Sequence, residues 1–257
     1  MRIMFIGDIS GASGREYIER NLRKLKTEYR AELVVANAEN SAHGHGANLE
    51  IVKNLELAGI DFFTMGNHTF NKNAQEVFDG FSNIVRPANY PPNLPGEGSG
   101  IFDTGTFRLG VINVQGRVYL DPIDSPFTAT EKELDKIKDK CDAVIVDFHA
   151  EATSEKAALA HYLDGRVAAV LGTHTHVQTA DEQILPGGTA FITDVGMTGP
   201  QNSILGVETS IIVDRFARLE NKKFEMADGK AQFNAVMLDV QDGKTVSIER
   251  INIRERI

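Results

Sequence analysis

Short, uninterrupted apolar runs alternate with stretches whose apolar residues recur at helical spacing along the first two thirds of the chain. The runs at residues 3–6, 33–36, 62–65, 109–114, 143–148 and 168–171 are rich in Val and Ile, the pattern of strands buried on both faces. Between them the spacing predicts amphipathic helices over 15–29, 48–58, 74–81, 128–138 and 154–163. Strands alternating with helices imply α/β layering. Beyond Gly187 the pattern becomes strand-rich, at 189–193, 223–226, 231–240 and 245–253, with turn signals at Ala227-Asp228-Gly229 and Asp242-Gly243. This predicts an added antiparallel sheet. Residues 87–100, with four prolines and three glycines, read as an ordered loop. No repeat, low-complexity tract or linker interrupts the pattern, so residues 1–257 are expected to form a single domain.

Five of the apolar runs end on residues able to bind a metal ion. They are Gly7-Asp8, Asn37-Ala38-Glu39-Asn40, Gly66-Asn67-His68, His149, and His174-Thr175-His176. In an open α/β sheet, ligand sites gather at the carboxyl ends of strands, so separate tips can converge on one crevice. Each tip has an ordinary structural reading as well. An Asp after a strand is commonly a helix cap, Asn suits a left-handed turn, and a lone His can be a hydrogen-bonded core residue. His174 and His176 carry more weight, since residues two apart on an extended segment face one side. The conjunction carries the inference, because packing preference does not make five strand ends finish on metal-competent groups.

Three other histidines read differently. His43 and His45 lie in a glycine-rich loop after Asn40 and are expected at a substrate entrance or on a flexible surface loop, outside the metal set. His161, in an Ala-rich helical stretch, reads as a solvated face residue.

Composition narrows the partners. Of 257 residues, 27 are Lys or Arg and 36 are Asp or Glu, a net charge of −9, which gives no basic footprint for duplex nucleic acid. A bound divalent ion can still reverse the local field for a small phosphate ester. The single cysteine, Cys141, excludes an internal disulfide and a thiolate cluster, which leaves N and O ligands and suits a reducing cytoplasm. The opening residues run too soon into Asp8 for a signal peptide, and no stretch approaches a membrane span. The expected location is cytoplasmic, with no membrane partner.

The strand-end motifs resemble those of the calcineurin-like metallophosphoesterase superfamily. They resemble most closely its YmdB-like subgroup, through Phe5-Ile6-Gly7-Asp8-Ile9, Ala36-Asn37-Ala38-Glu39-Asn40, Thr64-Met65-Gly66-Asn67-His68, Asp147-Phe148-His149-Ala150-Glu151, the segment 172–179 and the segment 193–199. Ser10 and Glu39 depart from the broad superfamily, which has His and Asp there; both are expected for the subgroup. The resemblance implies a four-layer αββα sandwich with mixed sheets and the metal site at strand C-terminal ends. It also implies one ion held by Asp8, Glu39, Asn40 and His176, and a second held by Glu39, Asn67, His149 and His174, with Glu39 bridging. His68 is left as the acid. Carboxylate, amide and imidazole donors favour transition metals, with iron or manganese ahead of zinc.

Two ions about 3.5–4 Å apart lower the pKa of a shared water and clamp the nonbridging phosphate oxygens during in-line attack. The resemblance implies small nucleotides as substrates, 2′,3′-cyclic ones above all. A broad phosphomonoesterase is the alternative within this class. The alternative from another class is a nucleotide-binding regulator using Gly7, Gly11 and Gly14, although their spacing matches neither a dinucleotide fingerprint nor a P-loop. The C-terminal sheet offers an edge for homo-oligomerisation.

Overall fold

The computed structural model describes residues 1–256. From the N-terminus, β1 (Arg2–Ile6) passes through the short β2 (Asp8–Ile9) into α1 (Gly11–Glu28). Then follow β3 (Leu33–Asn37), α2 (Leu49–Ala58), β4 (Phe62–Thr64) and α3 (Ala74–Gly80). A second series runs β5 (Ser99–Asp103), β6 (Arg108–Gln115), α4 (Pro126–Ile137), β7 (Ala143–His149), α5 (Thr153–Tyr162), β8 (Ala169–Thr173), β9 (Gln183–Ile184) and β10 (Ala190–Ile192). The chain closes with β11 (Met197–Pro200), α6 (Thr209–Arg218), β12 (Ala231–Gln241) and β13 (Lys244–Arg254).

Among the described residues these strands form two mixed sheets. The first has the order β2-β11-β12-β1-β3-β4, with β13 on β12; the second has the order β5-β6-β7-β8-β10-β9. Strands β1, β3 and β4 run parallel, as do β6, β7, β8 and β10. Side-chain alternation sets the layers. On β1, Ile3 and Phe5 enter the core between the sheets, where they meet Val111, Ile145 and Leu171, while Met4 and Ile6 face the core built with α1 and α2. On β7, Val144 and Val146 turn the other way, toward Leu134 of α4 and Leu159 of α5. The stack of helices, sheet, sheet and helices is the four-layer αββα sandwich.

Local chemistry places several boundaries. The Asn48 side chain caps α2 by accepting from the Ile51 N–H at 2.9 Å, and Gly59, at φ 119°, ends it in the left-handed region. Val52, Leu55 and Ala58 form its buried stripe. Pro126 opens α4, at a position where a missing N–H costs nothing.

Three expectations need correction. The C-terminal strands do not make a sheet of their own: β12 pairs antiparallel with β1, Ile3 opposite Leu238, and so extends the first sheet, while β10 joins β8 in the second. Residues 223–226 do not form a strand, since only Met226 makes a bridge, to Val207. The segment before it holds α6, a helix the sequence pattern does not predict. The ordered loop ends at Ser99, where β5 begins.

Candidate metal centre

Because the strands of each sheet that carry the motifs are parallel, their C-terminal ends open on the same rim. Buried polar side chains clamp the two rims together. Asp147 Oδ2, inside β7, accepts from Asn37 Nδ2 of β3 at 3.0 Å and from the Thr64 hydroxyl of β4. Asn113 Oδ1 of β6 accepts from the Met65 N–H at 3.1 Å. A buried polar group without a partner is costly, and these groups satisfy one another across the seam between the sheets.

All seven predicted ligand residues come together on this rim. The Glu39 carboxylate is at the middle: Oε1 lies 2.9 Å from Asn40 Nδ2 and 3.1 Å from His149 Nε2, and Oε2 accepts from the His68 backbone N–H at 2.9 Å. On one side, Asn40 Nδ2 also lies 3.4 Å from Asp8 Oδ1 and 3.1 Å from His176 Nε2. On the other, His149 Nε2 lies 2.9 Å from Asn67 Oδ1 and 3.1 Å from His174 Nδ1. Two clusters of N and O donors thus share one carboxylate oxygen. One atom each from Glu39, His149 and His174 falls within 4.8 Å of the others, a spacing that fits a single ion. Asn40 turns its amide nitrogen, not its oxygen, toward the first cluster.

The electrostatics suit cations. Asp8 and Glu39 are buried, and their ion pairs among the described residues are with imidazoles alone. Burial raises the Asp8 pKa, against the pull of His176 and His149. Burial also pushes Glu39 upward, but His149 and the His68 N–H outweigh it and the net shift is down. His149 loses by burial and gains more from Glu39, Asp8 and Asp147, ending at about 9. His174 is driven down to about 3 by burial and by the neighbouring His149. Backbone space fits too: a Cβ on Gly66 would overlap Glu39 Oε2 and lie 2.5 Å from His149 Nε2, so only glycine lets this loop approach.

The two histidines after β8 do not reach the site by strand alternation. Both lie beyond the strand with left-handed backbone, φ 97° at His174 and 65° at His176, conformations a non-glycine residue holds only when its surroundings impose them. Asp8 Oδ2 accepts from the His174 N–H at 3.1 Å. Asp194 Oδ2 accepts from the Thr175 N–H at 3.0 Å and its hydroxyl at 2.6 Å, and is paired with the fully buried Lys156 at 2.8 Å. Glu151 holds His174 Nε2 at 3.2 Å, which leaves Nδ1 facing the cluster. Thr173 Oγ1 sits 2.9 Å from His149 Nδ1 and donates to Asp147 Oδ1 at 2.7 Å. Such partners fix imidazole orientation. Sequence reading places Asp147, Glu151, Thr173 and Asp194 inside motifs but gives them no role, and it misses Lys156 altogether; a charge inside an apolar run is the available signal for the role of Asp147.

A cavity of about 600 Å³ opens over the centre, lined at its floor by Glu39, Asn40, His174 and His176 and at its sides by His43, His45, His68 and Glu151. The far wall comes from residues 204–226. Met226 pins this wall, filling space that a Cβ at Gly11, Gly44 or Gly206 would invade. His45 packs edge-on against His68 at 4.7 Å between centroids. Asn71 Nδ2 lies 2.9 Å from His68 Nδ1 and Asn67 Nδ2 lies 3.4 Å from His68 Nε2, so an asparagine amide stands beside each ring nitrogen. His161 is exposed on α5. Cys141 is half-buried beside the outer core.

The glycine cradle offers a phosphate no room. A Cβ on Gly7 would overlap the Gly196 carbonyl, one on Gly14 would overlap that of Thr198, and Gly11 faces Met226. The segment 196–199 is correspondingly structural, pairing as β11 with β2 and β12.

A profile described as YmdB-like protein matches residues 4–251. The chain belongs to the YmdB-like family. It is 46% identical over 260 residues, 99% of this chain and 98% of the relative, to a protein of Bacillus subtilis (strain 168) named 2′,3′-cyclic-nucleotide 2′-phosphodiesterase. Among solved structures, a Thermus thermophilus protein described as hypothetical superposes with a TM-score of 0.93 at 43% identity, covering 100% of both chains. A Mycoplasma pneumoniae phosphatase superposes with a TM-score of 0.92 at 38% identity, covering 99% of this chain and 93% of that one. The YmdB-like fold is thus of the metallophosphoesterase type. Among the described residues no helix is long and apolar enough to cross a membrane.

Proposed function

We propose that the protein is a two-metal phosphodiesterase acting on small nucleotides, 2′,3′-cyclic nucleotides first among them. The observation that carries this reading is the single oxygen, Glu39 Oε1, within 2.9 Å of Asn40 and 3.1 Å of His149, where the two donor clusters meet. In this reading Asp8, Glu39, Asn40 and His176 hold one ion, and Glu39, Asn67, His149 and His174 the other. Turning the Asn40 amide about its Cβ–Cγ bond exchanges its nitrogen for the oxygen a cation needs. The donor set, oxygen and imidazole nitrogen without thiolate, favours iron or manganese, with zinc next. Such ions, when bound, activate water at neutral pH and offset charge building on the phosphate oxygens.

The side chains supply the rest. His68 lines the same cavity and is the proposed proton donor to the leaving oxygen, a contribution of roughly 10²–10⁴-fold for a poor leaving group. The B. subtilis relative, named for cyclic-nucleotide cleavage, supports the substrate choice. The net charge of −9 is consistent with a small substrate and not with a nucleic-acid duplex. The lone Cys141 is consistent with a cytoplasmic setting.

Elemental analysis of protein purified without added metal, followed by kinetics on that preparation, tests the reading. Two equivalents of transition metal and a kcat/KM highest for 2′,3′-cyclic nucleotides are expected. Strong preference for a nucleoside monophosphate or an aryl phosphate would replace the substrate with a monoester. Bound dinucleotide without metal would overturn the chemistry.

A further inference from the structure

Opposite its charged floor, the cavity has an apolar wall. α6 and the segments on either side of it contribute Leu205, Ile212, Phe216, Phe224 and Met226 to the lining. Phe216 is 79% exposed, so packing in the core does not explain a phenylalanine there. Arg215 is the one lysine or arginine side chain in the lining, and its guanidinium lies 5.1 Å from the centroid of the Phe224 ring. Among the described residues Arg215 makes no ion pair with a carboxylate, unlike Arg218 nearly one turn later, which pairs with Asp214 at 3.1 Å. A compartment with ionic groups at one end and two aromatic rings with a stacked cation at the other matches a ligand that is phosphate at one end and a flat π-system at the other.

We propose that Arg215, Phe216 and Phe224 form a nucleobase-binding wall, on which the base of the substrate stacks while its phosphate sits over Glu39 and the imidazoles. This rests on the nucleotide reading above and adds which residues select for a base. Aromatic stacking tolerates every base because each presents a π-face, so the wall selects base over no base, not one base over another. Met226 seats this segment among Gly11, Gly44 and Gly206, tying the wall to the rim that carries Asp8 and Asn40.

The test compares 2′,3′-cyclic AMP and CMP with 1-O-methylribose 2,3-cyclic phosphate, which has the same ester and no base, on manganese-loaded protein. Wild type is expected to favour the base-bearing substrates in kcat/KM, mainly through KM. The Phe216→Ala/Phe224→Ala variant is expected to lose about 5- to 150-fold of that preference, the range expected for one stacked base. Phe216→Ala alone, at an exposed position, gives a smaller loss and guards against misfolding of the double variant. Calorimetric titration with a nucleoside 3′-monophosphate and with ribose 3-phosphate gives a readout independent of turnover, and the variant should lose only the base-dependent part of binding. Equal use of base-bearing and base-less esters by wild type, or unchanged preference in both variants, overturns the wall and leaves the phosphodiesterase reading standing. No cleavage of any cyclic ester sinks that reading, and the calorimetry then still decides the wall. Unchanged preference accompanied by a dimer-to-monomer shift on Phe216→Ala, measured by sedimentation, overturns the wall and assigns this face to self-association instead.

Discussion

The backbone N–H of His174 donates to Asp8 Oδ2 at 3.1 Å, joining residues 166 positions apart and tying the loop after β8 of the second sheet to the first sheet's strand tip. The other Asp8 oxygen, Oδ1, faces Asn40 and His176. One carboxylate thus both presents a donor atom and holds the left-handed turn at His174. Asp8→Asn keeps an acceptor for the N–H but removes the charge, so it is expected to retain nearly the wild-type melting temperature while losing one equivalent of metal. Asp8→Ala removes both, and a hydrogen bond to a charged group contributes about 1.5–3 kcal/mol. Metal content and thermal melts separate the two roles; equal melting of both variants would show that the tether holds nothing.

Gly66 gives a sharper test of geometry. Its missing side chain is what allows Asn67 and His68 to lie against Glu39 and His149. Gly66→Ala is expected to abolish most of the activity and to weaken metal retention, while circular dichroism reports an unchanged fold. Full metal occupancy with normal turnover would mean that the loop shifts without disturbing the donors.

The alternation of strands and helices is legible because buried parallel strands and amphipathic helices write their burial into local periodicity. The strand tips are legible together and not singly: each polar residue has an ordinary structural role open to it, but packing alone does not end five apolar runs on metal-competent groups. Two things are hidden. The pairing of β12 with β1 depends on contacts between Ile3 and Leu238, which no local pattern records. α6 packs over a cavity, burying Ile211 and Ile212 and leaving Phe216 exposed along with Leu219 just beyond it; its helical spacing spans only ten residues inside a stretch whose neighbours read as strands. The His174–His176 geometry departs from expectation for a related reason: extended alternation holds only where the backbone stays extended, whereas Asp8 and Asp194 impose a left-handed path.

Lys156 and Asp194 form an ion pair with neither side chain exposed. Asp194 also receives the Thr175 N–H and hydroxyl and, through Oδ1, the Gly196 N–H at 2.8 Å. Removing one member of a buried pair costs about 3–5 kcal/mol, because the other charge is left unpaired. Lys156→Met should therefore destabilise strongly in urea titrations. Lys156→Met/Asp194→Asn should recover part of that loss, since no charge is then stranded. Because Thr175 separates the two histidines proposed as ligands, Asp194→Ala should also lower metal affinity. A double variant no more stable than Lys156→Met would show that the carboxylate's backbone contacts, and not the charge, dominate.

His149 sets the pH response. In chelated protein burial opposes its charge, yet Glu39 at 3.1 Å, with Asp8 and Asp147, lifts its pKa to about 9, above the ordinary value of about 6.5. A raised histidine pKa means that the folded state holds its proton more tightly than the unfolded chain. The resulting stability, on the order of 3 kcal/mol, is complete below about pH 6.5 and disappears as pH climbs through about 9. With metal held as proposed the sign would reverse: a neutral imidazole would be the ligand, protons would compete with the cation, and the metal's contribution would grow over the same interval. Thermal melts from about pH 6 to about pH 9.5 should accordingly fall with pH in chelator and rise, or stay level, in manganese. Titrating metal into weakly buffered protein near neutral pH should release protons, read by an indicator dye. A chelated protein whose melting temperature is flat across this range would show that His149 is already neutral and that Glu39 draws no proton toward the site.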